Sequence, residues 1–139
     1  MKKKILISIP AYNEANNIRP LYKKLNETLE EKRDEVDFEI LFINDGSKDN
    51  TVSEVLSLIE QTDNVSLIDL SRNYGKEIAM SAGFDYSTHD AVITMDADLQ
   101  HPPATIIDMI DLWQQGYEDV YAKRNQRKGE SWFKKTSSK

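Results

Sequence analysis

Ile5-Leu6-Ile7-Ser8-Ile9-Pro10 is the short apolar run that decides the fold. Branched residues dominate it, and they favour extended backbone. A strand with one wet face alternates apolar and polar side chains. This run does not, so it reads as a strand covered on both faces. Residues 38–44, 65–70 and 91–95 have the same character. Between them, Ile18, Leu21, Tyr22, Leu25 and Leu29 recur at helical spacing, as do Val52, Val55, Leu56 and Ile59. The pattern predicts a third helix over residues 75–86. A fourth follows Pro102-Pro103, with Ile106, Met109, Ile110 and Trp113 on one face, since proline is tolerated in a first turn. Thr51 and Glu54 predict a capping box for the second helix, and residues 119–123 a fifth strand. Strands alternating with helices predict an α/β protein, with a mostly parallel sheet and helices on both faces. Right-handed crossovers and a ligand crevice at the carboxyl ends of the strands follow from that order.

Composition narrows the class. A chain of 139 residues, 39% hydrophobic and 30% charged, suits one globular domain. No apolar run approaches the roughly 20 residues of a membrane span. Lys2-Lys3-Lys4 ahead of the first strand imitates a signal peptide, but the apolar part is too short and Tyr12-Asn13-Glu14 follows in place of a cleavage site. The absence of cysteine excludes disulfides and thiolate metal sites, and fits a reducing compartment. The net charge of −6 is unevenly spread. Residues 121–139 carry seven basic groups against Glu130 alone, a surplus of six, which leaves residues 1–120 at −12. An acidic body argues against nucleic acid as a partner. The basic end, with Trp132 and Phe133, can meet phosphates or an anionic membrane surface, although its last six residues read as a solvated, frayed terminus. The sequence stops soon after this segment with nothing predicted to cover the sheet, as expected of a fragment or truncated protein.

Polar clusters follow the predicted strands. Asp96-Ala97-Asp98 places two carboxylates at i and i+2. In extended backbone they point the same way, about 6.6 Å apart, and can share a hard divalent cation whose other ligands are water and phosphate oxygens. A lone pair of this kind is equally an ordinary polar strand end. After the first strand, Tyr12 offers a ring to stack on a base, while Asn13 and Glu14 can hydrogen-bond a ligand or cap the next helix. Asn13 or Asn16 is equally an N-cap. In Asn44-Asp45-Gly46-Ser47, Gly46 permits a tight turn and close approach of a ligand, and Asp45 can accept from a base or ribose; a plain turn looks the same. Asn73-Tyr74-Gly75-Lys76 joins a glycine at a helix start to a lysine, a phosphate neighbour or simply a loop. No serine–histidine–acid set stands out, and His89 and His101 read as surface and loop residues.

Taken in order, Ile9-Pro10-Ala11-Tyr12-Asn13-Glu14, Asn44-Asp45-Gly46-Ser47-Lys48-Asp49, Asn73-Tyr74-Gly75-Lys76 and Asp96-Ala97-Asp98-Leu99-Gln100-His101-Pro102-Pro103 closely resemble the family 2 glycosyltransferases of GT-A fold. The nearest branch is similar to the polyprenyl-phosphate, dolichol-phosphate mannosyltransferase-like enzymes. Lys123-Arg124-Asn125-Gln126-Arg127-Lys128 resembles that branch's basic loop after the fifth strand. The resemblance spans nearly the whole chain. It implies a Rossmann-like nucleotide-sugar-binding domain over residues 1–123, with 124–139 a basic tail or the start of a missing acceptor region. It further implies that Pro10, Tyr12, Glu14 and Asp45 line a nucleoside pocket. Asp96 would lie near the ribose and diphosphate, and Asp98 would hold Mg²⁺ or Mn²⁺ with Gln100 close by. This makes Asp96 and Asp98 the catalytic pair. Lys76 and Arg124 would face phosphates, and Arg127 an acceptor phosphate. Many relatives carry two aspartates where this chain has Asn44-Asp45, so the base-facing residue is retained.

The implied reaction is inverting transfer of a sugar from a nucleoside diphosphate sugar, UDP-linked rather than GDP-linked, to a lipid-phosphate or glycan acceptor. A hydroxyl acceptor needs a general base, whereas a lipid phosphate is already an anion. No further strand-end carboxylate offers itself, which favours polyprenyl phosphate. The expected location is the cytoplasm, at the cytoplasmic face of the membrane for the full-length form. One rival is a nucleotide-sugar-binding module without turnover. A nucleotidyltransferase is a third reading, but Ala11-Tyr12-Asn13-Glu14 lacks the glycine-rich basic loop expected there.

Overall fold

The computed structural model describes residues 2–98, 104–124 and 131–137, with side chains for 2–98 and 104–116. The chain divides into two compact units, residues 1–100 and 101–139. In the first, β1 (Lys3–Ala11), α1 (Ala15–Leu29), a 3₁₀ turn (Glu30–Lys32), β2 (Val36–Asn44), α2 (Thr51–Gln61), β3 (Val65–Asp69), α3 (Lys76–Tyr86) and β4 (Ala91–Thr94) follow in order. The four strands form a parallel sheet in the order β3-β2-β1-β4. The chain thus steps outward from β1 to β3, then returns across the sheet to place β4 on the far side of β1. A ligand crevice is expected at that reversal.

Both faces of the sheet are covered, as the unbroken apolar runs require. Leu6, Leu41, Ile43 and Ala79 form a buried cluster with Ile68, Leu70 and Val92 packed on it, the α3 side. Alternation along each strand sends Ile5, Ile7, Ile9, Ile40 and Phe42 to the other face, all fully buried. Ile18, Leu21 and Leu25 of α1 and Val55 and Leu58 of α2 are buried too. Leu56 was expected on the buried face of α2 but is 48% exposed; the helix buries Thr51, Val55 and Leu58 instead.

Three further expectations change. Pro10 lies within β1 rather than ending it. Ser8 O accepts Met95 N–H on the β4 side and Ala11 O accepts Asp45 N–H on the β2 side, so alternation puts the missing N–H of Pro10 beyond the end of β4, where no bond is lost. The Thr51–Glu54 capping box does not form. Thr51 is the first helical residue, its N–H donates to Asp49 Oδ1 at 3.0 Å, and Glu54 pairs with Arg19. In the second unit, α4 (Ala104–Gln114) precedes β5 (Tyr117–Arg124) and β6 (Ser131–Ser137). β5 pairs antiparallel with β6, where a frayed terminus was expected. Trp132 and Phe133, opposite Lys123 and Ala122, supply β-propensity that the charge of this segment conceals.

α3 is fastened along its length. Gly83 abuts β1 so closely that a Cβ there would collide with Ser8 Oγ and lie 3.1 Å from Ile43 Cδ1. At its carboxyl end, Glu39 of β2 accepts hydrogen bonds from Tyr86 OH (2.5 Å) and Ser66 Oγ (2.6 Å), and meets His89 Nε2 at 2.8 Å. His89 Nδ1 lies 3.0 Å from Ser87 Oγ. His89 was expected at the surface, yet its side chain is only 10% exposed and joins a serine–histidine–glutamate chain. Burial alone would raise the Glu39 carboxyl, but the hydrogen bonds of Ser66, Tyr86 and His89 and the attraction of His89 outweigh it and hold the group below its ordinary value.

Gly83→Ala should destabilise the protein by about 1–3 kcal/mol through overpacking, read from the urea midpoint. Ser8 Oγ is buried without a hydrogen-bond partner among the described residues, so Ser8→Ala should cost little alone and should recover most of the loss in the double variant. For Glu39, a lowered folded-state pKa means stability that is present above the ordinary value of 4.5 and is lost as pH falls through the folded value. Glu39→Gln should therefore flatten the decline in Tm below about pH 4.5.

Candidate functional site

The carboxyl ends of β1, β2 and β3 are held level by the sheet, and β4 stops three residues short of the end of β1. Ala11 is in register with Asn44, Asn44 with Asp69, and Ser8 with Thr94. Each ladder continues one bond into the following loop: Asp45 N–H to Ala11 O at 2.9 Å, Leu70 N–H to Asn44 O at 3.0 Å, Met95 N–H to Ser8 O at 3.0 Å. The four polar clusters therefore emerge along one edge.

Much of this polarity builds scaffold. Asn13 has a φ of 54°, a region asparagine visits more readily than most residues. Its Oδ1 accepts Lys48 N–H at 2.8 Å and its own N–H donates to Ser47 Oγ at 2.9 Å. The start of α1 is capped by the next loop: Glu14 N–H donates to Thr51 Oγ1 at 2.9 Å and Ala15 N–H to Asp49 Oδ2 at 3.1 Å. Burial opposes the charge of Asp49, but the Thr51 hydroxyl and the backbone N–H groups of Ala15 and Thr51 prevail and hold its carboxyl below the ordinary range. Asn44 is buried, with its amide donating to Asp69 Oδ1 at 2.8 Å and accepting from Ser47 N–H at 3.1 Å. An aspartate there would meet Asp69 as a like charge, which accounts for the asparagine. Glu14 Oε1 accepts from Asn17 Nδ2, whereas Tyr12 is 44% exposed.

Asp45 carries more of the local architecture than its sequence context discloses. It is only 4% exposed, and its two carboxylate oxygens accept Tyr74 N–H at 2.7 Å and Gly75 N–H at 3.1 Å. These donors lie at the amino end of α3, where a negative charge also meets the positive end of the helix dipole. Asp45 O accepts Asn73 Nδ2 at 3.0 Å. Gly46, at φ 73°, allows the same contact: a Cβ there would collide with the Asn73 backbone. The close approach expected of a ligand at Gly46 is made by the protein's own chain.

Lys76, the first residue of α3, reaches back to form an ion pair from Nζ to Asp96 Oδ1. The acidic pair does not sit in extended backbone as expected. β4 ends at Thr94, and Ala97 and Asp98 lie in a turn. Burial still alternates, with Met95 and Ala97 buried and Asp96 and Asp98 half-buried, so both acids keep partial access to solvent. Arg72, absent from the sequence-based candidates, stacks over the Tyr74 ring at 4.3 Å. Nothing in its sequence context distinguishes it. Gln100 and Arg127 lie outside the described residues, and Arg124 is the last residue of β5 with its side chain outside them.

A family model described as "Glycosyl transferase family 2" matches residues 6–139. An uncharacterised glycosyltransferase of Synechocystis is 43% identical over 139 residues, covering 100% of this chain and 43% of that protein. A prophage bactoprenol glucosyl transferase homolog of Escherichia coli is 42% identical over 144 residues, covering 98% of this chain and 46% of its own. The chain thus spans under half the length of these curated relatives. Among solved structures, a mannosyltransferase of Pyrobaculum calidifontis in complex with GDP-Man and Mn²⁺ matches with a TM-score of 0.74 at 20% identity, over 93% of this chain and 38% of that one. Staphylococcus aureus TarS 1-349 in complex with UDP-GlcNAc gives 0.65 at 22%, over 86% and 33%. These likenesses establish the GT-A fold.

Asp45→Ala should free Tyr74 and Gly75 N–H from their acceptor. Their amide exchange should accelerate selectively, and the protein should lose about 2–3 kcal/mol of stability, as for hydrogen bonds to a charged group.

Proposed function

The chain belongs to glycosyl transferase family 2, and from that premise we propose that it is the donor-binding part of an inverting enzyme. It takes a sugar from a nucleoside diphosphate sugar, UDP-linked, and passes it to a polyprenyl phosphate. The observation that carries this reading is the edge shared by Asp45, Lys76, Asp96 and Asp98, with Lys76 already joined to Asp96. The acceptor class is supported by the bactoprenol glucosyl transferase homolog, and the donor class by the GDP-Man and UDP-GlcNAc complexes of proteins with this fold. A lipid acceptor and a basic segment at residues 121–139 support a place at the cytoplasmic membrane face. No helix among the described residues is long and apolar enough to cross a membrane.

The acids suit a hard divalent cation, Mg²⁺ or Mn²⁺. Asp96 and Asp98 are half-buried, and no cluster of three or more acidic, histidine or cysteine side chains suited to a metal occurs among the described residues. One or two carboxylates completed by phosphate oxygens and water is the manner in which such ions are held beside phosphates. Asp98, with Gln100 nearby in sequence, would hold the ion, and its charge would offset that growing on the departing diphosphate. Lys76 adds a second positive group on the same side. Tyr12 offers an exposed ring to the base, beside Pro10 and Glu14. Asp45 retains lone pairs beyond its two backbone bonds with which to accept from a base N–H. The acceptor phosphate attacks as an anion, so no protein base is required for the transfer.

Asp98→Ala should abolish Mn²⁺-dependent binding of UDP in calorimetry while leaving the fold intact; unchanged affinity would remove Asp98 from the site. A thermal-shift comparison of UDP- and GDP-sugars identifies the nucleotide, because the bound ligand raises Tm. Binding without transfer to polyprenyl phosphate would assign this chain the donor-holding role alone.

A further inference from the structure

The ion pair between Lys76 and Asp96 has a bearing on the order in which ligands enter. Lys76 begins α3, and the backbone just before it is fixed by the two bonds to Asp45. Its side chain is 59% exposed, whereas that of Asp96 is 29% exposed. The lysine is therefore the mobile partner and the aspartate the seated one.

Resting on the proposed donor site, we propose that Lys76 is a latch: it occupies Asp96 until a diphosphate draws it away, so cation and nucleotide load together. The local charges lead to this. Lys76 neutralises Asp96 and occupies one of its carboxylate oxygens. A divalent cation arriving alone would have to compete with the ammonium for that carboxylate, and the two positive groups would repel one another. A nucleoside diphosphate brings several negative charges, and oxygens that bind both the cation and an ammonium. The Lys76 Nζ then passes from Asp96 to a phosphate oxygen, and the Asp96 carboxylate becomes available to the cation and ribose. No covalent step is involved. The exchange replaces one charge-assisted contact with another, and so asks little of a half-exposed lysine.

The test is Mn²⁺ binding to the full chain, followed through the resonance of free Mn²⁺, with and without saturating UDP. The wild type should bind Mn²⁺ weakly alone and tightly with UDP. Lys76→Met should strengthen nucleotide-free Mn²⁺ binding, by about fivefold for a pair of this exposure, and weaken binding in the presence of UDP. Lys76→Arg keeps the charge and should keep the weak nucleotide-free affinity. Nucleotide-free affinity that is unchanged in the methionine variant overturns the latch and leaves the donor site standing. No Mn²⁺ binding by the wild type even with UDP overturns both.

Discussion

The carboxylate of Asp45 fixes where α3 begins, and the geometry of the edge depends on that. Its two bonds to Tyr74 and Gly75 N–H set the first turn, which carries Lys76. Glu39 of the same strand fixes the other end through Tyr86 and His89. Six residue steps of extended chain separate these acids, roughly 20 Å, against about 16 Å for an 11-residue helix. The lengths match closely enough for β2 to hold the helix at both ends. Between them, Gly83 lets the helix lie against Ser8 of β1. α3 is thus a strut whose position is set by backbone and buried polar contacts, with little freedom left for Lys76 except in its own side chain.

The asparagine–aspartate–glycine–serine segment shows how a motif divides its labour. Asn44 and Ser47 bind one another and the neighbouring loops, and Asp49 caps the start of α1 across the sheet edge. Gly46 admits the Asn73 backbone. Such residues are tied to function only through the shape they impose. On the proposed reading, the side chains offered to a ligand among the described residues include the Tyr12 ring, the spare lone pairs of Asp45, the Lys76 ammonium and the two acids after β4.

The four parallel strands and the first four helices were legible because a strand buried on both faces writes an unbroken apolar run, and a helix writes its period. A fifth strand was legible over residues 119–123, which β5 contains, but its pairing with β6 was not, because Lys134 and Lys135 mask the aromatic residues that favour it. The capping of α1 by Asp49 joins residues 34 apart, and Glu39 meets His89 across 50. No local pattern encodes either. Asp96 and Asp98 were read as carboxylates pointing the same way from extended backbone; both are half-buried, but that backbone gives way to a turn once β4 has no further partner bond after Met95 N–H to Ser8 O. The family was legible because four clusters recur in order, a constraint that no single cluster imposes.

An acidic body is an unpromising host for an anionic nucleotide, since residues 1–120 carry a net −12. The contacts along the edge resolve the conflict. Asp45 spends its charge on two backbone N–H groups at a helix amino terminus, and Asp49 on the Thr51 hydroxyl and two more N–H groups. Glu39 faces three donors at the far end of α3, and Asp96 faces Lys76. Carboxylates farther off than about 8–10 Å are largely screened at physiological ionic strength. What an approaching diphosphate senses is set by the first few ångströms, where most of the acids are already answered. On the proposed donor site, the acids after β4 would then be an asset, because they suit the cation through which a diphosphate is held.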